Sequence, residues 1–115
     1  MSDPVEQFVA GLDSLAAAPD RRGGLIVYRI DALEGGHAGE SLETAVEIAE
    51  LMNWPVAPPH WIHLPASLSF ARTNSQPSPV AGWLRHSRQI NGWGTDPNPT
   101  QAWLAHVRGV VGETQ

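Results

Sequence analysis

The stretch "WPVAPPHWIHLP", residues 54–65, decides how the rest of the chain reads. It packs four prolines, two tryptophans and two histidines into twelve residues. Pro55, Pro58, Pro59 and Pro65 exclude a helix, because each lacks a backbone N–H and its ring clashes with the preceding turn. Residues 60–64 therefore read as a strand entered through a stiff, polyproline-like bend. On a strand, His60 and His63 lie an odd number of positions apart and point to opposite faces. They cannot chelate one ion together. With no cysteine and no carboxylate close by in the sequence to complete a ligand set, the expectation is no metal and no cofactor.

Outward from this stretch, residues 42–51 ("LETAVEIAEL") carry two patterns. Leu42, Thr44, Val46 and Ile48 alternate with polar or small residues, as on a half-buried strand; Leu42, Ala45, Val46 and Ala49 also make a helical stripe. As a helix, Glu43 and Glu47 would repel at i, i+4. We take the strand, which can pair with the β-rich run "LIVYRI" (25–30) across the glycine turn "LEGGHAGES" (33–41). At the N-terminus, Asp3 is a cap, Pro4 a first helical residue and Glu6 a capping-box partner. Val5, Phe8, Val9, Leu12, Leu15 and Ala16 then form one face, and Pro19 with "DRRGG" ends the helix. Residues 66–79 read as a long loop, "VAGWLRHSR" (80–88) as containing a short helical turn, and "NGWGTDPNP" (91–99) as turn chemistry. Asn98, Pro99 and Gln101 open a final helix whose buried stripe is Trp103, Val107, Val110 and Val111, with Gly112 as its stop. The order of elements predicts an α+β fold with an antiparallel sheet of three to four strands, in one domain spanning residues 1–115.

Composition narrows the function classes. Of 115 residues, 42% are apolar, too many for a disordered chain, and no run approaches the roughly 18 apolar residues of a membrane span. The start, "MSDPVEQF", lacks the basic and apolar regions of a signal peptide, so the expected location is cytoplasmic. A net charge of -5 argues against general nucleic-acid affinity. Residues 1–50 hold ten of the twelve acidic side chains, so an anionic partner would favour the second half. All seven basic residues are arginine. A GC-rich coding sequence explains that, and it also leaves no side-chain amine to be modified.

His86, Ser87 and Asp96 are the residues that most resemble a nucleophile with its base. Neighbouring His and Ser seldom present both groups to one another, and no GxSxG elbow is present, so no catalytic residue is assigned. The five tryptophans read as core or core-edge residues rather than a stacking platform.

The second half resembles the ubiquitin-conjugating (UBC) superfamily, in particular its divergent bacterial members. Classical members carry a tyrosine-proline-phenylalanine stretch, a spacer, two prolines and an extended strand. Trp54-Pro55-Val56, then Pro58-Pro59, then the strand containing Trp61 are similar, with "VEIAELMN" (46–53) leading in. "GWLRHSRQINGW" (82–93) and "TQAWLAHV" (100–107) look similar to a stretch that bacterial members carry before a closing helix. The match runs in order over roughly residues 25–111. It implies a UBC-like fold, with an N-terminal helix, a β-meander, a long loop and a C-terminal helix. The family's His-Pro-Asn motif and thioester cysteine have no counterpart: the loop reads "ARTNSQPSPVAGW" (71–83), with Asn74 as its only asparagine. Ser75 or Ser78 could form only an oxyester there, and a hydroxyl without an activating base is a poor nucleophile.

The resemblance implies a non-catalytic adaptor in a bacterial ubiquitin-like conjugation pathway. Its partner would be a ubiquitin-like protein, an activating enzyme or a catalytic conjugating protein. Arg72, Asn74, Trp83, Arg85, His86 and Arg88 are the expected partner-facing residues; Trp54, Pro55, Pro58, Pro59 and Trp61 are the structural motif. The alternatives are a small enzyme using Ser or His within residues 72–88, or an unrelated α+β protein-binding domain.

Overall fold

The structure is a computed structural model that describes residues 3–68, 74–87, 90, 92–94 and 97–113. Helix α1 (Pro4–Ser14) starts as its sequence demands: the Asp3 carboxylate accepts the Glu6 N–H at 2.8 Å, supplying one of the donors the first turn cannot pair internally. Phe8 and Leu12 are its buried residues. The apolar face ends sooner than expected. Leu15 is the C-cap and is exposed, and Ala16 has left the helix with φ of 58°. The helix ends at Ser14 through this left-handed turn, before Pro19 acts.

Six strands follow among the described residues, where three to four were expected. They are β1 (Asp20–Arg22), β2 (Leu25–Asp31), β3 (Ser41–Glu47), β4 (Trp61–Pro65), β5 (Asn74–Pro77) and β6 (Trp83–Ser87), in the spatial order β1-β2-β3-β4-β6-β5, all antiparallel. Residues 42–47 form the predicted strand, but Ile48–Leu51 close it with a 3-10 turn. The run "WLRHS" is a strand and not a helical turn, and the expected 66–79 loop contains β5. β1 and β5 are edge strands with no apolar alternation to reveal them.

Register divides the sheet into two faces. One row crosses every strand: Asp20, Val27, Ala45, His63, Arg85 and Gln76 stand side by side. Residues one position away point to the opposite face. That face, with Ile26, Tyr28, Val46, Ile62 and Leu64, carries the main core. Helix α1 covers it together with α2 (Pro99–Val111), which Asn98 caps by accepting the Gln101 N–H at 3.1 Å. Trp103, Leu104, Val107, Val110 and Val111 are buried, as the helical stripe predicted. The helices approach closely where Gly11 meets Thr100; a Cβ on Gly11 would collide with the Thr100 hydroxyl.

The proline-rich stretch is fastened to this core. The Trp54 ring packs edge-on against Phe8 with centroids 4.8 Å apart, and Trp54–Pro55 is a cis peptide. Trp93 donates its indole N–H to the Pro55 carbonyl at 3.0 Å. Trp54 and Trp103 are core residues and Trp93 packs half-buried against the core; Trp61 and Trp83 are half-buried on the other face of the sheet. No helix among the described residues is long and apolar enough to cross a membrane.

Candidate functional site

The opposite face of the sheet carries only a small apolar cluster, Leu25, Val27 and Ala45, with Val80 and Trp83 laid over it. Beside this cluster the same row becomes polar, at His63, Arg85 and Gln76. Glu47, two residues beyond Ala45, faces the same side. The 3-10 turn Ile48–Leu51, for which Glu47 is the N-cap, then sets Glu50 near Glu47. Acceptor or ligand atoms of Glu47, Glu50 and His63 all lie within 4.8 Å of one another.

His63 is the centre of this arrangement and is fully buried. Its Nδ1 lies 2.9 Å from Ser78 Oγ, which also accepts the Val80 N–H at 3.1 Å. Ser78 thus stitches the turn after β5 onto the sheet. His63 Nε2 lies 3.3 Å from Glu47 Oε1 but off the line a hydrogen bond requires, and among the described residues it has no other hydrogen-bond partner. Burial pushes the imidazole below its ordinary 6.5, Arg85 adds to this, and Glu47 opposes it, so the ring is neutral at pH 7. Glu50 accepts the backbone N–H groups of His60 and Trp61 at 3.3 Å each. Burial raises its proton affinity, and these two N–H groups pull it back. Arg85 closes the rim. It reaches Glu47 at 3.5 Å and Gln76 at 3.0 Å, and its guanidinium sits 4.6 Å over the Trp61 ring.

The expected partner-facing residues divide. Arg72 and Arg88 lie outside the described residues, as does Asp96. Asn74 opens β5 opposite Ser87. Trp83 is half-buried over the small cluster. Arg85 is half-buried and engaged within the chain. His86 is 2% exposed and on the helix-covered side, so it is withdrawn from any partner surface. The His86–Ser87 pairing fails for the reason strands impose: neighbours point apart, and Ser87 meets His60 at 3.3 Å instead.

His60 and His63 likewise take separate partners, Ser87 and Ser78. The premise that no carboxylate lies near is corrected, because β3 and the 3-10 turn deliver two. Sequence reasoning missed Glu47 and Glu50. Their spacing of three was the available signal, but it signifies only once the turn is known to be 3-10. Ser78 was considered without a base, and the structure sets an imidazole beside it. Compared with known proteins, the chain matches no family model, no curated protein and no solved structure.

Proposed function

We propose that this chain is a UBC-like binding module of a bacterial ubiquitin-like conjugation pathway, with no thioester chemistry of its own. The observation that carries the reading is the order of its parts: an N-terminal helix, an antiparallel meander β1-β2-β3, the proline-rich stretch, a fourth strand, the β5–β6 pair and a closing helix. A chain without cysteine has no thiolate to hold a thioester. The apolar contacts of such a module would come from the bend, where Met52 and Val56 stand 68% and 85% exposed. The test is incubation with ATP, an activating enzyme and a ubiquitin-like protein from a bacterial conjugation system. Non-covalent capture is expected, weakened by Val56→Asp and by charge reversal at Arg72 and Arg88. A covalent adduct on this chain would overturn the reading.

The Ser78–His63 contact at 2.9 Å favours a second reading, a small serine-dependent acyl-transfer enzyme. In it the hydroxyl donates to Nδ1, and Glu47 steadies the ring from the other side. A fluorophosphonate probe should then label Ser78 and fail on Ser78→Ala; absence of labelling rejects it.

A further inference from the structure

We propose that Glu47, Glu50 and His63 form a site for a first-row divalent cation, zinc by their donor set, independently of the adaptor reading. The ligands come from three consecutive elements of the fold. β3 ends at Glu47, the 3-10 turn carries Glu50, and β4 sets His63 beside Ala45 on the face that Glu47 shares.

Two carboxylates close together are common on protein surfaces and signify nothing alone. Here a buried group points at them. The His63 side chain is 0% exposed, and among the described residues its Nε2 has no hydrogen-bond partner, only Glu47 Oε1 at 3.3 Å off line. In the tautomer whose Nδ1–H donates to Ser78 Oγ, 2.9 Å away, the Nε2 lone pair is directed at the carboxylates. This is the arrangement in which a ligating histidine is oriented by its other nitrogen. A lone pair facing two carboxylates is repulsive, and a cation between them removes the conflict.

The spacing fits. A tetrahedral ion with bonds of about 2.0–2.1 Å needs donor atoms about 3.3 Å apart, and His63 Nε2 stands 3.3 Å from Glu47 Oε1. The Glu50 donor atom lies within 4.8 Å of both and would have to move inward on binding, at the expense of its long contacts to the His60 and Trp61 N–H groups. One imidazole nitrogen and two carboxylate oxygens suit zinc and leave a fourth position for water. Arg85 is the competitor, since its Nη1 reaches the same Glu47 oxygen at 3.5 Å.

The experiment is calorimetric titration of the EDTA-treated full chain with zinc chloride, repeated with cobalt chloride to read coordination from its visible spectrum. The expected result is saturable binding of one zinc per chain and a tetrahedral cobalt spectrum. Glu50→Gln should weaken binding at least tenfold with its circular dichroism unchanged, and Arg85→Gln should tighten it several-fold. His37→Ala, which removes the exposed His37–Glu40 pair, should leave binding unaltered. His63→Gln should abolish binding; if that variant does not fold, Glu50→Gln decides. Absence of saturable binding, equal affinity in Glu50→Gln, or loss in His37→Ala overturns the proposal.

Discussion

The two faces of the sheet are built from the same strands and use them differently. Under the helices, Ile26, Tyr28, Val46, Ile62 and Leu64 meet Phe8, Leu12, Trp103 and Val107 in a continuous core. On the other side, their immediate neighbours Leu25, Val27 and Ala45 make a small cluster covered by Val80 and Trp83, and the row then becomes charged. Alternation along a strand lets one sequence serve both, with stability on one side and polar chemistry on the other. The helix side also buries polar groups, among them Thr44, His86 and the Tyr28 hydroxyl. The Tyr28 hydroxyl accepts the Trp103 indole N–H at 2.7 Å.

The largest expected effect is on the helix-covered face. Trp103→Ala empties the middle of that core and should cost ~3–5 kcal/mol, measured as a shift in the urea midpoint at constant slope. A cost below that of any substitution on the opposite face would break the division drawn here.

Tyr28→Phe tests the same core more finely. It leaves the Trp103 N–H without its acceptor, at ~1–3 kcal/mol. The hydroxyl also has a pH signature. Burial raises the Tyr28 pKa well above its ordinary 10.0, against the pull of the Trp103 and Thr44 hydrogen bonds. Above pH 10 the unfolded chain loses this proton and the native chain keeps it. Tyr28's contribution is therefore complete below pH 10 and declines as pH rises, by ~1.4 kcal/mol per unit. The chain has one tyrosine, no lysine and no cysteine, so this titration is little obscured. Denaturant midpoints followed to about pH 11 should fall in the wild type and stay flatter in Tyr28→Phe. Parallel profiles would show that Tyr28 is not the group responsible.

Val27→Ala belongs to the other face. It removes two buried methyls, worth ~1.5 kcal/mol, from a small cluster covered by Val80, before β6, and Trp83, its first residue. A loss matching Ile26→Ala on the same strand would mean the second cluster is as rigid as the first.

What was legible in the sequence follows from how local each determinant is. Both helix starts were readable, because Asp3 and Asn98 act on N–H groups three residues away. β2 and β4 were readable from apolar content and from prolines that forbid a helix. β1 and β5 were not, since edge strands of polar residues carry no alternation and exist only through their partners. β6 hid because its half-buried residues look helical in isolation. The polar cluster was the least legible, because it depends on the register that sets Ala45 against His63. Nothing local to "HWIHLP" announces that a glutamate thirteen or sixteen positions earlier will face it.

The smallest stability effect is expected at Glu50→Gln, and that smallness makes it informative. Its carboxylate accepts two backbone N–H groups at 3.3 Å, both long, and the side chain is half in solvent. The amide oxygen of glutamine can replace one acceptor, so thermal melting without metal should shift by the equivalent of ~0.5 kcal/mol or less. Adding zinc to the wild type should raise the melting temperature with zinc concentration, since an ion that binds only the native state stabilises it by mass action. In Glu50→Gln that rise should shrink or vanish. A variant that melts like the parent without zinc and fails to respond with it separates the two faces: the fold is intact, and only the polar side has lost its ligand.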